Sequence, residues 1–212
     1  MKLLLSGFEP FGGETINPSG AVLRAIESAP PPDIELTTLE LAVRGRVSFK
    51  LLVTAFERGD YDASLGLGQA GGRPRLSVER IGVNLLFDRD GESAAVVEHP
   101  LVEGAPVAYF AGLPVREIAE RMTAAGAPTA VSSDAGTYIC NEALYAMQHH
   151  LATVGRDLPS GFVHLPYLPE QLAGKPPSTP SMELETQTLG VRTAVEFVRG
   201  LVAARAAVEA GQ

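Results

Sequence analysis

The only cysteine of the chain, Cys140, stands where a nucleophile could act. It follows the Ala-Gly-Thr-Tyr-Ile segment at residues 135–139 and precedes Asn141 and a helix-like run over residues 142–151. The N-terminal end of a helix carries partial positive charge, which favours a reactive thiolate over the thiol. A small buried thiol without a chemical role is the commoner fate of a free cysteine. Cys140 therefore indicates covalent catalysis only if the chain also supplies a base.

His164 is the histidine best placed to be that base. A cysteine nucleophile needs one group to take its proton and another to hold that base in the useful tautomer. His149 and His150 lie too far along the same predicted helix, at about 1.5 Å rise per residue, and His99 lies in a polar segment. His164 ends an apolar run, where an α/β sheet presents side chains to the crevice at its carboxyl edge. A purely structural histidine is the alternative.

Glu79 is the candidate for the acid that orients the histidine. It interrupts an otherwise strand-like stretch over residues 76–86. A carboxylate inside a strand costs free energy unless it is paired. In the catalytic interpretation its partner is His164, whereas in the structural one it pairs with Arg80 or lies exposed at a sheet edge.

Length, composition and charge limit what kind of protein this is. The chain has 212 residues, of which 45% are hydrophobic and 20% charged, so we expect a single domain over residues 1–212. A net charge of −8 argues against a nucleic-acid partner. No apolar run approaches the roughly 20 residues of a membrane span, and the apolar N-terminus is too short for a signal peptide. We therefore expect a cytoplasmic protein with no membrane association, and no metal or other cofactor.

Short apolar runs alternate with helical periodicities along the chain. This alternation predicts an α/β protein, a three-layer α/β/α sandwich with a mostly parallel twisted sheet. Residues 88–106 and 167–180 contain no convincing element and predict two long surface loops. The predicted strands cover residues 2–6, 34–43, 63–67, 78–86, 129–132 and 162–165, and the predicted helices begin at Pro18, Val47, Val115 and Glu142, with a last one opened by Thr179-Pro180.

Two glycine-containing turns follow predicted strands. Residues 6–13 lack the glycine spacing and the Lys-Ser/Thr pair of a phosphate loop. Phe8 and Phe11 stand there instead, which predicts an apolar slot for a flat, uncharged group. In the second turn, residues 69–73, the backbone can come close to a ligand. A tight-turn role alone would also explain either segment.

Five ordered segments carry a family resemblance: residues 7–13 with 17–19, residues 68–73, Glu79-Arg80 with Asn84, residues 135–141, and residues 161–169 with Gln171. Together they resemble pyroglutamyl peptidase type I, also called pyrrolidone carboxyl peptidase, nearly from end to end. The resemblance implies a cysteine peptidase that removes N-terminal pyroglutamate from peptides through a thioester acyl-enzyme. It also implies a homodimer or homotetramer.

The resemblance further implies roles for single residues. Cys140 would be the nucleophile, His164 the base and Glu79 the residue that orients it. The pocket for the lactam ring would be formed by Phe8 and Phe11, with Tyr138 and Ile139 nearby, Gln69 giving backbone hydrogen bonds to the lactam amide, and Arg89 close to the carbonyl oxygen.

Two segments depart from the family pattern. Residues 88–97 are fewer than the pattern has there, and Asp90 stands where an apolar pocket residue is expected. Residues 42–46 replace the usual Leu-Pro-Val-type opening of their loop. Both departures bear on substrate affinity and on the shape of a loop that could cover the site, and they leave the predicted triad unchanged.

Two other functions fit the same layout. One is a non-catalytic small-molecule-binding α/β domain, in which Cys140 packs in the core and Glu79 pairs with Arg80. The other is a nucleoside phosphorylase-like transferase, which has a similar topology. That transferase would need a phosphate site, and the sequence offers no basic loop to bind the anion.

Overall fold

The computed structural model describes residues 1–89 and 96–211, and for residues 87–89, 96–98 and 209 it describes the backbone alone. The strands are β1 (Lys2–Phe8), β2 (Glu35–Leu41), β3 (Ala63–Gln69), β4 (Leu76–Glu79), β5 (Ile81–Val83), β6 (Leu86–Arg89), β7 (Val96–His99), β8 (Ala108–Phe110), β9 (Thr129–Ser132) and β10 (Ser160–Leu165). The helices are α1 (Pro18–Ser28), α2 (Val47–Gly59), α3 (Val115–Ala124), α4 (Ile139–Thr153) and α5 (Leu184–Ala210), with one 3₁₀ helix (Pro169–Leu172).

A six-stranded sheet in the order β2-β1-β3-β10-β4-β9 forms the middle layer. Strands β2, β1, β3 and β10 run parallel, β4 is antiparallel to β10, and β9 is parallel to β4. The predicted mostly parallel sheet is therefore confirmed. Two small antiparallel pairs, β5 with β8 and β6 with β7, lie outside this sheet.

Helices cover both faces of the sheet. On one face Leu3 and Leu5 pack in a core cluster with residues of α1, α3 and α5. On the other face Leu4 and Phe162 pack in a second cluster with residues of α2 and α4. Consecutive leucines of β1 are all buried because a parallel sheet with helices on both sides has no wet face. The predicted three-layer α/β/α sandwich is thus confirmed.

The first helix begins as its sequence predicts. Asn17 is the N-cap, and its side chain accepts a hydrogen bond from the backbone N–H of Ser19. Pro18 occupies the first helical position, where its missing N–H costs nothing. This cap fixes the end of the loop that follows Phe8 and carries Phe11.

The last helix does not begin at Thr179-Pro180, so that prediction is wrong. It begins at Leu184. Residues before it are held extended, because Met182 N–H donates to the Tyr167 carbonyl and Ser181 forms a bridge with Tyr167. This tertiary pairing overrides the Thr-Pro signal for a helix start.

The structure corrects three more predictions. The predicted strand over residues 78–86 is divided among three strands, because the chain leaves the central sheet at Arg80, β5 pairs with β8, and Leu86 begins β6. The predicted loop 88–106 contains the end of β6 and all of β7, which pair antiparallel. The predicted loop 167–180 contains the 3₁₀ helix that starts at Pro169.

Candidate active site

Cys140 is the second residue of α4, inside the first helical turn and not before the helix as predicted. Its side chain is half-buried, and its sulfur lies directly over Gly68 of β3. A Cβ atom on Gly68 would stand 2.6 Å from Cys140 Sγ and 2.8 Å from Phe162 Cζ. Only glycine therefore allows α4 to bring the sulfur this close to the sheet.

His164 lies next to this position. It is the penultimate residue of β10 and is paired in register with Gly68 on the neighbouring strand. Adjacent strands are about 4.8 Å apart, so a sulfur above Gly68 is beside the imidazole. The ring is buried, and Phe162 packs edge-on against it with ring centroids 5.0 Å apart. Packing thus fixes the orientation of the imidazole.

Glu79 holds the other side of the imidazole. Its side chain is fully buried at the end of β4, and Oε1 lies 2.7 Å from Nδ1 of His164. A carboxylate only accepts hydrogen bonds, so Nδ1 donates and Nε2 is the nitrogen left for the sulfur. The structure therefore brings together the three predicted residues, Cys140, His164 and Glu79, from three distant parts of the chain.

The electrostatics of this cluster favour a charged imidazole. Burial by itself lowers the pKa of His164. The interaction and hydrogen bond with the Cys140 sulfur, together with the hydrogen bond and charge of Glu79, outweigh burial and raise the pKa of His164 from 6.5 to about 9. At neutral pH the imidazole is thus poised to hold a proton beside the sulfur.

Arg73 is a member of the cluster that the sequence reasoning missed. Its Nη1 donates to Glu79 Oε1 over 2.7 Å, the same oxygen that accepts from His164. The partners of Glu79 among the described ion pairs are Arg73 and His164, so the alternative pairing with Arg80 and the alternative of an exposed carboxylate are both wrong. Arg73 belongs to the second glycine-containing turn, where an arginine by itself gives no pattern to recognise.

A cavity of about 300 Å³ opens beside the sulfur. The predicted pocket residues Phe8, Phe11, Gln69, Tyr138 and Ile139 all line it, together with Cys140 and His164. Phe8 and Ile139 are buried, whereas Phe11 and Tyr138 stand at the mouth with about 37% and 48% of their surface exposed. The wall is mostly apolar, as expected for a flat, uncharged group. Lining residues that were not predicted are Asn17, Val43, Ala70, Gly71, Arg73, Ala135 and Gly136.

The two departures from the family pattern fall differently in the structure. Residues 42–46 reach the site, because Val43 lines the cavity and its N–H donates to Glu9. Asp90 lies outside the described residues, and so does the side chain of Arg89, at the end of β6. The predicted position of the Arg89 side chain near the carbonyl oxygen stays a prediction.

One buried amide joins two segments of the cavity wall to the 3₁₀ helix. Gln171 Nε2 donates to Gln69 Oε1 over 2.8 Å and to the carbonyl of Ile16 over 3.2 Å. Its Oε1 accepts from the backbone N–H of Leu168 over 3.0 Å. Gln171 therefore fixes Gln69, which ends β3, relative to the loop that follows β1.

Within the described ranges, no group of three or more His, Cys, Asp and Glu side chains is placed to hold a metal ion. In the same part of the chain, none of the helices is both long enough and apolar enough to cross a membrane.

The fold and the similarity to known proteins together show that this protein is a peptidase built as an α/β/α sandwich. The chain matches the family described as pyroglutamyl peptidase over residues 1–200. It is 39% identical over 206 residues to a pyrrolidone-carboxylate peptidase of Treponema denticola, with 93% of each chain covered. It is 42% identical over 191 residues to the enzyme of that name from Thermococcus onnurineus, covering 88% of this chain and 92% of that one.

Solved structures agree with these similarities. Pyroglutamyl peptidase I from Bacillus amyloliquefaciens superimposes with a TM-score of 0.84 at 35% identity, over 91% of this chain and 92% of that chain. A mutant pyrrolidone carboxyl peptidase from Pyrococcus furiosus superimposes with a TM-score of 0.88 at 36% identity, over 95% and 100% of the two chains. The chain therefore belongs to the pyroglutamyl peptidase family.

Proposed function

We propose that the protein removes N-terminal pyroglutamate from peptides by covalent catalysis at Cys140. The observation that supports this most is the placement of the Cys140 sulfur beside a Glu79-oriented imidazole at the edge of an apolar cavity. Membership of the pyroglutamyl peptidase family supports the substrate class. The two alternatives, a non-catalytic binding domain and a phosphorylase-like transferase, lose their basis because the chain belongs to a peptidase family.

The proposed reaction proceeds through a thioester. His164 takes the thiol proton of Cys140, and the thiolate attacks the carbonyl carbon of the pyroglutamyl residue. The imidazolium then protonates the departing amine, so that the peptide leaves and the pyroglutamyl group stays on sulfur. Water, deprotonated by His164, attacks the thioester and releases pyroglutamate with the free thiol. Glu79 keeps the Nδ1 hydrogen in place throughout.

The start of α4 supplies a place for the oxyanion. No side chain caps this helix at Tyr138, and the first backbone N–H groups of a helix have no partner within it. The backbone N–H of Cys140 is one of these groups, at the position where charge develops on the carbonyl oxygen. A donor of this kind typically contributes 10²–10³-fold to kcat, about 3–4 kcal/mol.

The cavity gives a physical reason for the specificity. An N-terminal lactam is neutral and flat, whereas an ordinary N-terminus is a hydrated cation that must lose its water to enter an apolar slot. Phe8 and Ile139 are buried parts of the wall, and Phe11 stands at its mouth. We therefore expect free amino termini to be rejected.

The test is hydrolysis of a chromogenic pyroglutamyl amide compared with the same amide of proline and of glutamate. We expect the pyroglutamyl amide alone to be cleaved, and we expect Cys140→Ser and His164→Ala each to lose nearly all turnover, about 10⁴-fold or more, while folding normally. Glu79→Gln should lose less turnover than either of these two variants. Equal cleavage of the prolyl amide, or full activity of either triad variant, would contradict the proposal.

Two further proposals concern the setting of the enzyme. From the family resemblance we propose a homodimer or homotetramer. From charge and composition we propose that it works in the cytoplasm, without a nucleic-acid or membrane partner. Sedimentation equilibrium tests the first part, and a monomer at micromolar concentration would contradict it. Fractionation of cells that make the protein tests the second.

A further inference from the structure

Arg73 contacts the two sides of the active site at once. Its Nη1 donates to Glu79 Oε1 over 2.7 Å and to Ser132 Oγ over 3.4 Å, while Nη2 donates to the carbonyl of Asp134 over 2.6 Å. Its side chain is about one-third exposed and lines the cavity. One guanidinium thus joins the acid of the triad to the end of β9 and to the segment that follows it.

That segment leads directly to the nucleophile. Asp134 Oδ1 accepts from the backbone N–H of Gly136, which turns the chain with φ near +75°. Glycine suits this left-handed conformation because it has no Cβ. Two residues later Tyr138 becomes the N-cap of α4, and Cys140 follows in its first turn. The bond from Arg73 to the Asp134 carbonyl therefore fastens the base of the nucleophile's loop to Glu79.

The charges of the cluster balance only when Arg73 is counted. With a thiolate on Cys140, an imidazolium on His164 and a carboxylate on Glu79, the three groups carry a net charge of −1. Glu79 is fully buried and His164 nearly so, and an uncompensated charge in such a place is costly. The guanidinium of Arg73 brings the net charge to zero.

Few other ionisable side chains in the described part of the chain face this cluster. Tyr138 lines the cavity from the turn before α4, and Asp134 lies in the same turn with its carboxylate on Gly136 N–H. Glu142 of α4 accepts from the backbone N–H of Arg46. From β4 and β10 the groups that face it are Glu79 and His164 themselves.

We propose that Arg73 is a positioning residue for the reaction, which acts by balancing the charge of the ion-paired triad and by anchoring the loop that carries Cys140. This inference rests on the proposed catalytic role of Cys140, His164 and Glu79. It assigns to Arg73 the stabilisation of the thiolate form, through Glu79 and His164, and no direct contact with the scissile bond.

The test follows alkylation of the only cysteine by iodoacetamide across pH, which reports thiolate formation and needs no substrate. In Arg73→Gln we expect the midpoint of the acidic limb of the rate profile to move upward by about half a pH unit or more, because a compensating positive charge is lost. Arg73→Lys keeps the positive charge, so its midpoint should lie close to that of the unmodified protein. Arg75→Gln, which removes an exposed arginine two residues after Arg73, should behave as the unmodified protein.

A double variant separates charge balance from a merely structural role. Glu79→Gln leaves the ion-paired site with a net charge of +1, so its midpoint should lie below that of Arg73→Gln. Combining both changes returns the net charge to zero, and the midpoint should lie between the two single variants. If Arg73→Gln alone does not fold, the midpoint of the double variant must still lie at higher pH than the midpoint of Glu79→Gln. Equal midpoints in these comparisons would overturn the proposal.

Steady-state kinetics complete the test, because Arg73 also lines the cavity. A positioning role predicts that Arg73→Gln lowers kcat on a pyroglutamyl amide about tenfold or more with little change in KM. A raised KM with unchanged kcat and an unmoved acidic limb would assign Arg73 to substrate binding instead, and would overturn the proposal. If no pyroglutamyl amide is cleaved by the unmodified protein, the proposed function fails, while the alkylation profiles still report on Arg73 by themselves.

Discussion

At position 68 the absence of a side chain is what lets sulfur and imidazole meet. The sulfur of Cys140 occupies the space that a Cβ on Gly68 would need, and His164 is the residue paired with Gly68 across the strands. A methyl group at position 68 would displace the sulfur, or the Phe162 ring that packs against His164. The chemistry of the site therefore depends on a residue that itself has no reactive atom.

Gly68→Ala should reduce activity sharply without unfolding the protein. The added methyl group must displace Cys140 Sγ or the ring of Phe162, and overpacking of this kind costs about 1–3 kcal/mol of stability. We expect kcat to fall at least about 100-fold, since small misplacements of reacting groups have effects of that size. Enzyme kinetics and thermal unfolding measure the two effects. Gly200→Ala, where nothing lies within 4 Å of the new Cβ, is the matched control, and equal activity of both variants would contradict this role for Gly68.

The raised pKa of His164 predicts the alkaline limb of the pH profile. The imidazolium is needed to protonate the leaving amine, and it is lost as the pH rises through about 9. Activity on a pyroglutamyl amide should therefore follow a bell-shaped curve that declines near pH 9. Removing the negative charge in Glu79→Gln should move this alkaline limb to lower pH, because Glu79 is one of the groups that raise the pKa of His164. An alkaline limb that stays in place in Glu79→Gln would count against the assignment.

At the scale of elements, the cavity is built by loops that are tied to one another and to the sheet. Phe8 ends β1 and Phe11 lies in the loop after it, while β3 ends at Gln69. Gln171, from the 3₁₀ helix, joins these two walls through its amide. Pocket shape thus depends on a residue that does not line the cavity itself.

Gln171→Ala should weaken substrate binding more than catalysis. Without the amide, the hydrogen bonds to Gln69 Oε1 and to the Ile16 carbonyl are lost. We therefore expect KM for a pyroglutamyl amide to rise about tenfold while kcat changes little. Gln187→Ala is the matched control, because Gln187 is also buried and its amide also donates two hydrogen bonds, to the backbone carbonyls of Pro166 and Met182. The control should lose stability without the change in KM. A kcat loss equal to the KM effect would show that Gln171 acts on the triad instead.

The sequence is informative about elements where local signals and packing agree. Asn17-Pro18 predicts the start of α1 because the cap and the proline act within the helix itself. The start of α5 escaped prediction because a bridge between Tyr167 and Ser181, which are distant in sequence, keeps the preceding residues extended. The break between β4 and β5 was not predicted for a similar reason, because β5 pairs with β8, which comes much later in the chain.

The candidate site follows the same division. Cys140, His164 and Glu79 could be nominated from their residue types, because each is unusual where it stands in an apolar α/β pattern. Arg73 could not, since an arginine in a glycine turn is ordinary and its partners become visible only when β4 and β9 lie side by side. The helix begins one residue before Cys140, whereas the sequence pattern predicted that it begins after the cysteine.

At the scale of the whole molecule, one sheet separates two core clusters and belongs to both. Leu3 and Leu5 of β1 pack into one cluster and Leu4 into the other, so neither layer can lose its packing without exposing the sheet. We propose that residues 1–212 form a single domain, and we expect one cooperative unfolding transition with equal calorimetric and van't Hoff enthalpies. Differential scanning calorimetry checks this. Two separate transitions would contradict a single domain.

Covalent catalysis requires that the pyroglutamyl group becomes bound to the sulfur of Cys140 during turnover. Mass spectrometry detects this acyl group when the protein is quenched with acid during hydrolysis of an activated pyroglutamyl ester and then digested. We predict that the peptide containing Cys140 gains the mass of one pyroglutamyl acyl group, and that Cys140→Ser gains none under the same conditions. Rapid hydrolysis by the unmodified protein with no acyl group on Cys140 at any quench time, or with the acyl group on another residue, would contradict the account.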